Sequence, residues 1–138
     1  MGARVRTVEY FYVMVHDRLG EAYRLLSQLE SEQVNLLAFN AIPMGPDHTQ
    51  LVLFPDNSDL LTKTAARTGL RLTGPQRALL VQDDDRLGAL ADIHFTLLEA
   101  NINVYASSGV TDGSGGYGYI LYIRPEDYGK AAHVLGAV

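Results

Sequence analysis

The sequence predicts an α+β chain built from two tandem copies of one small unit. Three observations carry this reading. The tetrapeptide Asp-Arg-Leu-Gly occurs twice, at residues 17–20 and 85–88. A shift of 68 positions, the separation of Asp17 and Asp85, also sets Leu29 on Leu97, Asn35 on Asn103, Ala38 on Ala106, Gly45 on Gly113, Leu53 on Leu121 and Asp59 on Asp127. Each copy then runs through the same order of strand-like and helix-like segments. A period of this size exceeds the roughly 20–50 residues of solenoid repeats and is long enough for a domain with its own core.

The segments can be justified in turn. Residues 5–15 are rich in Val, Tyr and Phe, which suits a strand. After the first motif, Leu19, Ala22, Tyr23, Leu26 and Leu29 recur every three or four residues, the mark of an amphipathic helix ending near Ser31. Residues 34–42 predict a strand, 43–47 a turn and 51–54 another short strand. Asp56, Asn57, Ser58 and Asp59 offer N-caps for a helix from about Leu60 to Arg67, with Gly69 as its stop. Residues 70–73 predict a last strand before Gly74-Pro75.

The second copy repeats the order. Residues 78–82 predict a strand, 87–100 a helix, 102–110 a strand, 117–123 a strand and 125–135 a helix. Strand-helix-strand, taken twice per copy, is the split βαβ pattern of ferredoxin-like domains. The expected domains are residues 1–74 and 75–138. The chain reaches Val138 where the second copy's final strand would begin. That strand is expected to be absent, or supplied by another segment.

Composition bounds the class. Hydrophobic residues make up 47% and charged residues 20%, ordinary for a globular domain. The formal net charge is −5 with no cluster of Lys and Arg, which argues against nucleic acid or an anionic membrane as partner. There is no cysteine, hence no disulfide, thiolate metal site or thiol nucleophile. No secretory signal pattern or membrane-length apolar run stands out, so the cytoplasm is the expected location.

Side-chain alternation predicts a partner. Phe11, Val13 and Val15 point to one side of a strand, and Tyr10, Tyr12 and Met14 to the other. Tyr117, Tyr119 and Leu121 alternate with Ile120 and Tyr122 in the same way. With both faces apolar and helices on only one, a homodimer is expected to cover Tyr10, Tyr12, Tyr117 and Tyr119. The missing final strand would leave an edge that a second chain can also relieve.

Other chemistry is thin. Asp83, Asp84 and Asp85 have the residue type for a hard cation but read better as a solvated loop. The glycine-rich run 113–118 lies between two strands, without the following helix that a phosphate loop requires. It reads as a flexible hairpin. His16, His48, His94 and His133 show no metal-type spacing, and no catalytic arrangement recurs.

In order, spacing and duplication, the motifs Asp17-Arg18-Leu19-Gly20 with Val34-Asn35-Leu36, and Asp85-Arg86-Leu87-Gly88 with Ile102-Asn103-Val104, resemble a tandem pair of ACT domains. These are small-molecule-sensing modules of amino-acid metabolism. The resemblance covers roughly residues 5–136. It departs at Leu19 and Leu87, where proline is often found, and at the missing final strand.

The resemblance implies binding of a free amino acid or similar small metabolite where two domains meet edge to edge. By position it assigns Asp17, Leu19, Gly20, Asp85, Leu87 and Gly88 on the loops, with Asn35 and Asn103 on the facing strands. It implies that the 17–20 loop lies near Asn103 and the 85–88 loop near Asn35. The residue types suit this chemistry. Glycine lets a ligand approach the backbone, helix amides attract a carboxylate, and Asp and Asn can accept from an ammonium group. Structural readings compete with it: Asp17 and Asp85 as N-caps, Asn35 and Asn103 as left-handed turn residues. The implied protein is a non-catalytic regulator without cofactor, acting in trans on a metabolic enzyme or other regulator. The alternatives are a small enzyme centred on His16, Asp17 or the acidic triad, and an interaction module without ligand.

Overall fold

The structure, a computed structural model, describes residues 3–138. Met1 and Gly2, where the first expected domain begins, lie outside the described residues. The elements run β1 (Arg4–His16), α1 (Glu21–Ser31), β2 (Leu36–Pro43), β3 (His48–Pro55), α2 (Ser58–Thr68), β4 (Thr73–Asp84), α3 (Ala89–Glu99), β5 (Val104–Thr111), β6 (Gly116–Ile123) and α4 (Pro125–Val134). The architecture is α+β; the first copy runs in the βαββαβ order, and the second runs β4-α3-β5-β6-α4 without a final strand of its own. Among the described residues, no helix is long and apolar enough to cross a membrane.

Two compact units are formed, one from Glu9–Gln76 and the other from residues 3–8 with Arg77–Val138. The division falls within β4 between Gln76 and Arg77, just past Gly74-Pro75, and within β1 between Val8 and Glu9, so that residues 3–8 group with the second stretch. Residues 70–72 form no strand; β4 begins at Thr73 and passes straight through Gly74-Pro75. Gly74 permits this. Its φ is 134°, and a Cβ there would stand 2.9 Å from the Tyr10 carbonyl oxygen and 3.0 Å from the Phe11 ring.

In the Glu9–Gln76 unit, β3 pairs antiparallel with β1 on one side and β2 on the other. Phe11, Val13, Leu51 and Leu53 on the strands meet Leu25 and Leu29 of α1 and Leu61 of α2. Of the expected α1 stripe, Leu29 is buried and Ala22 and Leu26 are half-buried, but Leu19 and Tyr23 are exposed; Leu25, one helical turn before Leu29, takes the core position instead. Asn57 caps α2 by accepting from the Leu60 amide at 3.1 Å, and Gly69 closes it in the left-handed conformation.

In the other unit, β6 pairs antiparallel with β4 and β5. Leu79, Val81, Leu121 and Ile123 pack against Ile93 and Leu97 of α3 and Tyr128 and Ala131 of α4. The final strand that the second copy lacks has a replacement. Val5 of β1 joins this core, and the Arg4 guanidinium reaches the Gln82 side chain at 3.4 Å. Val138 then bonds β1 on both sides of residue 6. Its amide donates to Val5 at 3.0 Å, and its carbonyl accepts from Thr7 at 3.1 Å.

The tyrosines do not form the expected open face. Tyr117 and Tyr119 belong to the core beneath α3 and α4. Tyr10 is buried within the same chain, its ring 5.2 Å from that of Phe54 and its hydroxyl on Gln76 at 3.1 Å. Alternation had separated the two sets of side chains correctly but does not say which set lies under the helices. Three of the four tyrosines therefore need no partner chain to cover them.

Candidate functional site

The two motifs build the same turn. In the first, the Asp17 amide donates to Asp47 at 2.8 Å and the Glu21 amide to Arg18 at 3.2 Å. In the second, Asp85 donates to Gly115 at 2.8 Å and Ala89 to Arg86 at 3.2 Å. Each turn delivers a helix whose N-cap is the motif glycine, Gly20 with φ 85° and Gly88 with φ 82°. This backbone region is one that only glycine enters cheaply.

No side chain caps either helix, so the aspartates are not the N-caps that a simpler reading assigns. The turn places them three residues too early for that. Apart from Glu21 and Ala89, whose amides donate to Arg18 and Arg86, the first-turn amides of α1 and α3 thus keep their partial positive charge without a covering carboxylate or hydroxyl. Leu19 and Leu87 stand fully exposed at the tips of the turns.

The asparagines behave differently from the loops. Asn35 precedes β2 and donates to the Asp56 carboxylate at 3.4 Å, while the Asp56 amide donates to the Asn35 carbonyl at 3.0 Å. The left-handed residues after the helices are Gln33 (φ 65°) and Asn101 (φ 60°), not Asn35 and Asn103. Within a copy, motif and asparagine stand at opposite ends of the sheet. Leu36 pairs with Pro55 at one end of β2 and Pro43 with Thr49 at the other, next to the Asp47 that holds Asp17.

In the second copy, the motif opens on a cavity of about 390 Å³. One wall is the start of α3, from Gly88 to Ala91. The opposite wall is Val110 and Thr111 of β5, with Tyr117 and Gly118 of β6. Asp85 and Arg86 complete it with one carboxylate and one guanidinium. The cavity thus brings Asp85 and Gly88 together. Leu87 and Asn103 are not among its walls, and Asn35 lines a separate depression of about 420 Å³ behind α1. The sequence held one signal for this cavity. Gly118 stands where the first copy has Gln50, and the space beside it is open.

Arg86 faces a second cavity of about 320 Å³ as well, where it pairs with Asp92 at 2.7 Å and shares the walls with Asp83 and Tyr117. Asp92 raises the Arg86 pKa above its ordinary value, chiefly through their hydrogen bond. Burial pushes the Tyr117 phenol up, and the Asp83 carboxylate adds to it. The residues 83–85 do not converge as a carboxylate cluster. Among the described residues, no three His, Cys, Asp or Glu side chains are arranged to hold a metal.

One polar group escaped sequence reasoning. The Tyr119 hydroxyl donates to Ser107 at 2.9 Å and lies 2.7 Å from His94 Nε2. The first copy has Leu51, Phe39 and Leu26 at these positions, all apolar. A Cβ on Gly109 would strike the Tyr119 ring at 2.8 Å, so this glycine is what admits the ring; the first copy has Ala41 there.

No family model matches the sequence, and no curated protein matches it. Solved structures do. Protein BT0572 from Bacteroides thetaiotaomicron aligns with a TM-score of 0.79 at 16% identity, covering 97% of this chain and 88% of that one. The ligand-free regulatory subunit of aspartate kinase from Thermus thermophilus aligns at 0.64 and 12% identity, covering 99% and 95%. A putative C-terminal regulatory domain of aspartate kinase from Porphyromonas gingivalis aligns at 0.58 and 18% identity, covering 97% and 94%. Such identities speak to fold. The chain has the tandem ACT-type fold of aspartate kinase regulatory domains.

Proposed function

We propose that the chain is a non-catalytic regulator that binds an amino acid or a similar small metabolite at the 85–88 motif. One observation carries this reading: the uncapped start of α3 opens on a cavity of about 390 Å³ beside the Asp85 carboxylate. First-turn amides attract an anion, and here no side chain covers them. The ligand carboxylate would take the amides near Gly88 and Leu90, and Asp85 would accept from its ammonium group. Leu90 and Val110 supply an apolar wall for a side chain. The volume suits a small molecule.

The wider site follows the duplication. In this reading, Asp17, Leu19 and Gly20 form the corresponding half-site of the first copy. Leu87 contributes from the tip of its loop, and Asn35 and Asn103 are the strand partners that a neighbouring copy offers. The solved regulatory domains of aspartate kinase support a regulatory role on this fold. The output is in trans, on a metabolic enzyme or other regulator in the cytoplasm, and it requires the ligand to favour one state of the assembly.

Homodimerisation belongs to the same reading, but through a different surface from the tyrosines. The outer side of α3 exposes Leu90, Phe95 and Leu98, where α1 has Ala22, Ser27 and Glu30. The neighbouring edge strand β5 is exposed and carries no charge or proline. Phe95→Lys with Leu98→Lys should shift sedimentation from dimer to monomer; unchanged sedimentation removes this surface from the reading.

A thermal-shift screen against the twenty amino acids tests the function. A ligand present at about 100 times its dissociation constant adds about 2.7 kcal/mol of stability. Stabilisation without turnover is the expected result. No response to any amino acid would leave an interaction module instead.

A further inference from the structure

The first copy carries a histidine pair that the second copy cannot build. His16 ends β1 and His48 begins β3, and the antiparallel register sets them directly opposite one another. The two imidazole rings lie 4.6 Å apart between centroids, inclined by 38°. His48 Nδ1 stands 2.8 Å from an Asp47 carboxylate oxygen. An ionised carboxylate only accepts, so Nδ1 carries the proton and the lone pair of His48 is on Nε2. A carboxylate behind an imidazole in this way fixes the tautomer and the orientation of the ring. At the corresponding positions the second copy has Asp84 and Gly116. The separation of 32 positions between His16 and His48 hid the pair from any reading of local spacing.

We infer that His16 and His48 form a two-imidazole site for a late first-row divalent cation such as Zn²⁺ or Ni²⁺. Asp47 acts as the orienting partner of His48. Imidazole nitrogens favour these ions over Mg²⁺ and Ca²⁺, which take oxygen ligands. The side chains of His16 and His48 are reachable from solvent, so an ion can enter without opening the core. With two protein ligands the remaining coordination positions are open to water or a small chelating molecule. The location gives the site a consequence. His16 leads directly into Asp17, and Asp47 holds the Asp17 amide at 2.8 Å, so a bound ion would brace the root of the first motif.

The experiment is calorimetric titration of the tag-free, chelator-stripped full chain with ZnCl₂ and separately with NiCl₂. One ion per chain is expected. Binding should be lost in His16→Asn and in His48→Asn, because one imidazole cannot chelate. Asp47→Asn should weaken it by about 10–100-fold. His133→Asn, an exposed histidine elsewhere, should leave it unchanged. Absence of binding by the wild-type chain, or binding that survives His16→Asn, overturns the proposal and leaves a pair of packed rings. A second measurement needs no variant. Substoichiometric Ni²⁺ should broaden the ring NMR signals of His16 and His48 before those of His94 and His133; the reverse order also overturns it.

Discussion

The amide of Asp85 donates to the carbonyl of Gly115 at 2.8 Å, and this bond ties the second motif to the hairpin between β5 and β6. Asp17 makes the same bond to Asp47 at the same length, and both donor and acceptor are displaced by one repeat. The motif aspartate is therefore positioned through its backbone. Its carboxylate is left for other work.

This gives a prediction that separates binding from stability. Asp85→Asn should leave the unfolding midpoint nearly unchanged, because Asp85 is not the cap of α3. Affinity for the amino acid found by thermal shift should fall roughly ten- to a hundredfold, the loss of one charge-assisted hydrogen bond of about 1.5–3 kcal/mol. Calorimetry on the variant checks both at once. Unchanged affinity would remove Asp85 from the site.

Thr64 offers a gain in stability. It is 1% exposed, and its hydroxyl has no hydrogen-bond partner. The second copy has Ala132 at this position. A buried hydroxyl without a partner costs about 1–3 kcal/mol, and valine keeps the shape without the polar atom. Thr64→Val should raise stability by about 1 kcal/mol in a urea titration with unchanged slope. Destabilisation would mean that the hydroxyl is satisfied in solution.

Gly74 and Gly69 should respond unequally to alanine. Both have positive φ, but a Cβ on Gly69 meets open space, whereas one on Gly74 meets the Tyr10 carbonyl oxygen at 2.9 Å. Gly69→Ala should cost about 1–2 kcal/mol, the penalty for a left-handed alanine. Gly74→Ala adds a backbone clash and should cost more. Equal midpoints by chemical denaturation would show that β4 shifts freely past β1.

Asp112 predicts a pH effect. Its carboxylate accepts from the Ser114 amide at 2.6 Å and the Gly116 amide at 3.0 Å. These bonds, Ser114's foremost, hold its pKa below the ordinary value. A lowered folded-state pKa stabilises above the unfolded value and is lost as pH falls through the folded one. Asp112→Asn should therefore loosen the hairpin at neutral pH, seen as faster amide exchange at Gly116. The difference from wild type should shrink toward zero in acid.

Much of the fold was legible because duplication supplies two readings of each element. Both first helices stand where the period put them, with Leu29 and its repeat Leu97 in the two cores; the phase of the α1 stripe was misread, since Leu25 is buried and Tyr23 and Leu19 are exposed. Of the residues named from the second motif, Asp85 and Gly88 line one cavity and Leu87 does not. What failed were statements needing the third dimension. Parity along β6 grouped Tyr117 with Tyr119 without revealing that helices cover them. Spacing could not bring His16 to His48, which strand pairing joins, or His94 to Tyr119 and Ser107, which meet only because α3 packs on the sheet. The assignment of Asp17 and Asp85 as caps failed on backbone conformation. A motif ending in glycine allows the left-handed cap that makes a side-chain cap unnecessary.

The use of β1 by both units sets a timetable for the nascent chain. Residues 3–8 are made well before their packing partners, which include Leu79, Leu121, Tyr128 and Val138. The strand must wait, half employed, until Val138 has been made. Contacts of such long sequence separation are slow to form, and a waiting apolar strand is open to wrong pairing in the meantime. For this strand the order of synthesis and the order of assembly differ.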